Sequence, residues 1–182
     1  MISHSPARRW LISAAAMAAS TYALDAVATT SGAALVLSGL LDRLDGGHLL
    51  AGLAASYLLW VCGLRMSIAA NWALLEATGT STSLPSLLAY ELACARTRSR
   101  RMQRLAAGLG YVGTEIAKEL PYYLAAFGAA SLSADLTTGD ALIFLIGANL
   151  GAAVYEGGLG IAVRVGLRHT AGDARKLRLG VA

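Results

Sequence analysis

Four long apolar runs dominate the chain, at residues 10–41, 49–75, 105–131 and 141–167. Each exceeds the roughly 20 residues a helix needs to cross a hydrocarbon core about 30 Å thick. The runs are rich in Ala, Gly and Leu. None shows the polar–apolar alternation, in segments of roughly ten residues, that marks an outer-membrane barrel. They predict an all-α integral membrane protein: four transmembrane helices in an antiparallel bundle, forming a single domain over residues 1–182. Surplus length is taken up by tilt or by extension past the bilayer. Arg8 and Arg9 precede the first run as they would in a signal peptide. The run continues far past any h-region, so it reads as a retained span.

Composition agrees with this pattern. Of the 182 residues, 56% are hydrophobic and only 14% charged, where soluble domains carry about a quarter charged residues. Mean hydropathy is +0.57. Cys62 and Cys94 have neither CxxC nor metal-ligand spacing and read as free thiols.

Charge gives the runs a direction. Arg8 and Arg9 lie before the first run, Arg96, Arg98, Arg100, Arg101 and Arg104 between the second and third, and Arg168, Arg175, Lys176 and Arg178 after the fourth. The other connections hold Asp42, Arg43 and Asp45, then Asp135 and Asp140. The positive-inside rule assigns the basic side to the cytoplasm. Both termini then lie inside, in an inner membrane of bacterial type. The net charge of +4 thus reads as a topology signal. Without interleaved aromatics or a recognisable module, it predicts no nucleic-acid partner.

Between the second and third spans, Leu84, Leu88 and Leu92 recur at helical spacing ahead of the arginines. Residues 85–104 are therefore expected to form a basic amphipathic helix on the inner membrane surface, or to extend the third span. Arg98, Arg100 and Arg101 are expected to touch membrane lipid headgroups. Residues 78–83, Thr-Gly-Thr-Ser-Thr-Ser, read as a turn in which Gly79 ends one helix and hydroxyls cap the next. They lack the glycine spacing and lysine of a phosphate loop.

Candidate chemistry lies at mid-span. Asp25, Glu115, Lys118, Glu119 and Glu156 all fall near span centres, where insertion of a charge costs roughly 2.5–3.5 kcal/mol. Glu115, Lys118 and Glu119 are spaced i, i+3 and i+4 and so share one helix face. Pro121 removes one helical hydrogen bond beside them. Thr21, Asp25, Thr29 and Gly32 form a stripe on the first span, and Asn149, Glu156, Gly160 and Arg164 another on the fourth. On the second span Arg65, Ala69, Trp72 and Glu76 align, with Asn71 on a different face. Arg65 is close enough to the cytoplasmic end to snorkel, or to pair with Asp25 or Glu156. The expectation is that Asp25, Glu115, Glu119 and Glu156 converge on one polar cavity with Asn149, and that Lys118 pairs one glutamate. Arg65, Asn71 and Pro121 support them.

Matched against Lys118 and Arg65, those four acids leave two negative charges over. Protons, a bound cation or a substrate must neutralise them. Oxygen ligands suit a hard cation such as Mg, Ca or Mn. No other cofactor is expected: His4, His48 and His169 lie away from the span centres, and lysine stands where a di-iron bundle needs histidine. No Ser–His arrangement or nucleotide loop suggests an enzyme. The leading expectation is a small transporter or channel for a cation or proton. The alternative is a non-catalytic subunit, serving assembly or regulation, whose buried charges form a packing network. An intramembrane enzyme acting on a lipid or isoprenoid comes third. Gly147-x-x-x-Gly151, with Gly157, Gly158, Gly160, Gly108, Gly110 and Gly113, allows close helix approach within or between chains. A homo-oligomer, or a place in a larger membrane complex, is expected on that basis.

Overall fold

A computed structural model of the chain describes residues 5–40, 45–131 and 137–178. His4, Asp42, Arg43 and Asp135 lie outside them, as do the side chains of Thr21, Arg175, Lys176 and Arg178. Every regular element among the described residues is helical. Helix α1 (Pro6–Ala16) runs through a π-helical stretch (Met17–Leu24) into α2 (Asp25–Leu35) and a second such stretch (Val36–Leu40). Then come α3 (Gly46–Thr78), α4 (Leu84–Arg96), α5 (Arg100–Ser131) and α6 (Thr138–Arg178). Three stretches, Pro6–Ser38, Gly46–Thr78 and Thr138–Ala171, are long and apolar enough to cross a membrane. Helix α5 has the length, at 32 residues, but carries Glu115, Lys118 and Glu119 at its centre.

Local chemistry explains the boundaries. Ser5 caps α1 through the Arg8 amide, with Pro6 opening the helix. Asp45 caps α3 through the His48 amide, and its carboxylate also meets His48 Nδ1 at 2.8 Å. Those hydrogen bonds hold the Asp45 carboxyl below the usual carboxylate range. Gly79 ends α3 with φ +68°, and Ser83 caps α4 through the Ser86 amide. The expected turn is present, with its glycine and its hydroxyl cap.

The π-helical stretch before α2 re-phases the first helix. In an unbroken α-helix, Ser13 and Asp25 would lie about a third of a turn apart. The wider π-turns bring both to the buried side.

Helices α3 and α6 run parallel: Gly52 lies against Ile146, Gly63 against Ala153 and Gly157, and Met66 against Gly160. Helix α2 runs antiparallel to α6, with Gly32 against Gly147 and Gly151, and Ala28 against Gly151. A Cβ on any of these three glycines would overlap the opposing backbone. Gly147-x-x-x-Gly151 is thus occupied within the chain. Apolar clusters close the same region: Val36, Leu49, Ile143 and Ile146 form one, and Ala33, Phe144 and Ala148 another.

Helices α4 and α5 form a hairpin whose close approach places Gly110 on the Pro85 carbonyl. Helix α4 presents two distinct faces. Its buried face carries Ser86 and Leu87, while Leu88 and Leu92 are exposed. It is also separate from α5 and begins inside the protein, with residues 80–83 buried. The basic segments meet at one end: Arg9 pairs with Glu91 at 3.7 Å and Arg100 with Glu76 at 3.7 Å. Arg98, Arg100 and Arg101 are exposed there.

Burial is inverted relative to a soluble protein. Asp25, Glu115, Lys118, Glu119 and Glu156 are buried, while Leu105, Leu109, Ile116, Leu120 and Leu124 on α5 are exposed. Such a surface is suited to hydrocarbon rather than water.

Candidate functional site

The centre of the site is the Lys118 ammonium. Its Nζ lies 2.9 Å from Asp25 Oδ2, 2.5 Å from Glu115 Oε2 and 3.5 Å from Glu156 Oε1. Asp25 comes from α2, Glu115 and Lys118 from α5, and Glu156 from α6. Glu156 has no exposed surface, and Asp25 is 1% exposed. The expectation of one glutamate partner is therefore exceeded: Lys118 binds three carboxylates from three helices.

Neighbouring groups complete this shell. Thr29 donates to Asp25 Oδ1 at 3.4 Å, one turn along α2. Tyr111 donates to Glu156 Oε2 at 3.3 Å, and Ser67 of α3 donates to the Glu156 backbone carbonyl at 3.1 Å. The Tyr155 ring lies 5.1 Å from the ammonium, within cation–π range. Glu115 and Glu156 thus meet at the same ammonium.

Glu119 sits beside this shell and outside it. It lies within electrostatic reach of Asp25, Lys118 and Glu156, yet its ion pair with Lys118 is absent among the described residues. One turn further along α5, Tyr123 donates to Asn149 Oδ1 at 3.3 Å. Asn149 lies two turns of α6 from Glu156, about 10 Å along the axis, and so is separated from the Lys118 shell. Pro121 lies on the exposed side of an α5 that continues unbroken to Ser131. Without an N–H, it leaves the Ala117 carbonyl lacking its helical donor, in the same turn as Lys118.

On the other side of the shell, Asn71 organises the turn between α3 and α4. Its Nδ2 donates to Ser86 Oγ at 2.8 Å, and its Oδ1 accepts from Ser81 Oγ at 2.6 Å. Ser81 N–H donates to Ser13 of α1 at 2.9 Å, and Ser83 meets Thr114 of α5 at 2.7 Å. Asn71 therefore faces inward. Arg65 is exposed, and no ion pair to it is formed among the described residues. Arg164 is exposed as well. The inner face of α3 is Ser56, Gly63, Ser67 and Asn71 rather than Arg65, Ala69, Trp72 and Glu76.

The chain matches no family model, no curated protein and no solved structure.

Polar groups thus follow one line along α5: Tyr111, Thr114, Glu115, Lys118, Glu119 and Tyr123. Beyond Tyr123 an apolar groove of about 250 Å³ opens between α5 and α6, walled by Phe127 and Phe144. Among the described residues, no group of three or more His, Cys, Asp or Glu is arranged to hold a metal ion. The space between Asp25, Glu115 and Glu156 is filled by an ammonium, the position a hard cation would need. Tyr111 and Tyr123 went unnoticed in the sequence, although each lies four residues from a site glutamate on the same helix face. Ser67 was equally legible, four residues before Asn71 and four after Gly63.

Proposed function

We propose that this chain is a small membrane transporter or channel whose transported species is a proton, moving along the polar line of α5. The observation that carries this reading is the packing of three buried carboxylates around a single ammonium, with a fourth, Glu119, buried beside them, inside a bundle with an apolar exterior. Carboxylates in such excess shed their unmatched charge by taking up protons. A protein that only needed a cross-link between helices would have no use for the surplus.

Four spans follow from the same reading. Helix α5 hides its charges and exposes its leucines, so it is compatible with hydrocarbon although its mean hydropathy is low. With α5 counted, the basic end faces the cytoplasm, both termini lie there, and an inner membrane of bacterial type is the expected location. A hard-cation cargo is less well supported than a proton, because Lys118 already occupies the carboxylate centre. A homo-oligomer stays part of the proposal on account of the small volume four helices enclose, and no longer on the glycine motif.

The second reading is a structural subunit, favoured by one observation: Lys118 joins α2, α5 and α6 in a single set of ion pairs. Proteoliposomes containing a pH-sensitive dye and driven by a potassium diffusion potential separate the two. Transport predicts proton flux above protein-free vesicles that is abolished by Glu115→Gln or Glu156→Gln, with expression and oligomeric state near normal. Wild-type vesicles as tight as protein-free ones, with both variants losing only thermal stability, would leave the structural reading.

A further inference from the structure

We infer that Glu119 is the carboxylate that binds and releases the transported proton, while Asp25, Glu115 and Glu156 hold Lys118 as a fixed positioning clasp. This rests on the transport reading above and assigns a role within the same site.

The assignment starts from valence. A lysine ammonium has three N–H donors. In this protein three carboxylates stand around it, one each for Asp25, Glu115 and Glu156. The ion pairs of the ammonium are with these three acids, and among the described residues none reaches Glu119, the next residue along the chain. Glu119 is nevertheless only 7% exposed, and its Oε1 is buried without a hydrogen-bond partner. The indole N–H of Trp60 on α3 faces the same carboxylate as a donor. A buried carboxylate with no ion-pair contact of its own and an unmet acceptor oxygen is best satisfied as the neutral acid. The other three acids each have an ammonium contact that favours the charged form.

Position completes the argument. Glu119 lies one turn beyond Glu115 on α5, and Tyr123, one turn further, leads to Asn149 and the groove between α5 and α6. It therefore stands between the clasp and the Tyr123–Asn149 pair, the next polar groups along α5. The groups facing it are Asp25 from α2, Trp60 from α3, Lys118 and Tyr123 from α5, and Glu156 from α6. In this arrangement Asp25 and Glu156 oppose a second negative charge on Glu119, and Lys118 limits how firmly the proton is held.

The test pairs flux with a direct reading of protonation in the full-length protein. Wild type, Glu119→Gln, Glu119→Asp and Glu115→Gln are compared in the proton-flux assay and by pH-difference infrared spectroscopy, which detects a carboxyl group gaining or losing its proton. The expected result is loss of the titrating carboxyl band and of flux down to the protein-free leak in Glu119→Gln. Glu119→Asp should retain both, with a displaced pH profile. A band that persists in Glu119→Gln and disappears in Glu115→Gln would overturn the assignment. Glu119→Gln protein transporting like wild type would do the same. Wild-type protein with the Glu119 band but no flux would sink transport and leave Glu119 as the titrating group, so the two failures are distinguishable.

Discussion

Lys118 is held by charge from three directions, and the energetics of the site turn on that fact. Removing one partner of a buried ion pair leaves the other uncompensated, at a cost of about 3–5 kcal/mol. Lys118→Met should accordingly lower stability by that amount, read as a shift in chemical denaturation in detergent. Addition of Glu115→Gln to Lys118→Met should recover part of the loss. Wild-type stability in the single variant would show that the ammonium does not hold the carboxylates. The shared face of Glu115, Lys118 and Glu119 was legible from spacing alone, because three- and four-residue steps on a helix return to the same side. Arg65 is exposed, as a snorkelling side chain would be, and its pairing with Asp25 or Glu156 is absent among the described residues for the matching reason. It lies two residues from Gly63 and two from Ser67, both buried, and residues two apart face different directions. Matching charges by sign overlooked the small residues, which define the inner face of α3 and place Asn71 there.

At the scale of elements, the closest approach is that of α2 and α6 through Gly32, Gly147 and Gly151. Gly151→Ala would set its new methyl against the Ala28 carbonyl and Thr29 backbone, and neither can retreat as a flexible side chain would. A loss of about 1–3 kcal/mol is expected from such overpacking. Gly157→Ala meets open space and should stay within about 0.5 kcal/mol of wild type. Thermal unfolding of the two variants side by side checks the contrast, and equal effects would contradict the packing. Long apolar runs made α3, α6 and the first span visible in the sequence, since membrane-spanning length needs no knowledge of partners. The π-helical stretch Met17–Leu24 was not visible: it arises because Ser13 and Asp25 both find buried partners, a tertiary demand with no local signature. Nor was the fold of α4. The contacts that order it are Ser86 with the Ala107 carbonyl and Pro85 against Gly110. These are small polar and backbone contacts that a hydrophobic pattern does not record.

The molecule as a whole has one basic end and an apolar flank, and a bilayer is the surroundings that match both. Arg98, Arg100 and Arg101 are exposed at the link between α4 and α5, beside Arg104. Arg101 and Arg104 edge a groove of about 440 Å³ whose other walls include Ile68, Leu105 and Leu109. Cationic rim and apolar wall together suit an anionic lipid, each basic residue near an anionic bilayer surface contributing about 1 kcal/mol of attraction. Orientation and lipid contact can be read in one set of cells. With Cys62 and Cys94, both free and exposed, replaced by serine, a cysteine at Ser99 should react with an impermeant maleimide only after the membrane is opened. Replacing Arg98, Arg100 and Arg101 together with Gln should weaken retention of anionic lipid on the purified protein, or let a fraction of chains insert in reverse with Ser99 labelled from outside. Labelling of the arginine-intact protein from outside would invert the entire orientation. Unchanged lipid retention and unchanged labelling in the triple variant would mean the arginines serve the Glu76 and neighbouring protein contacts alone.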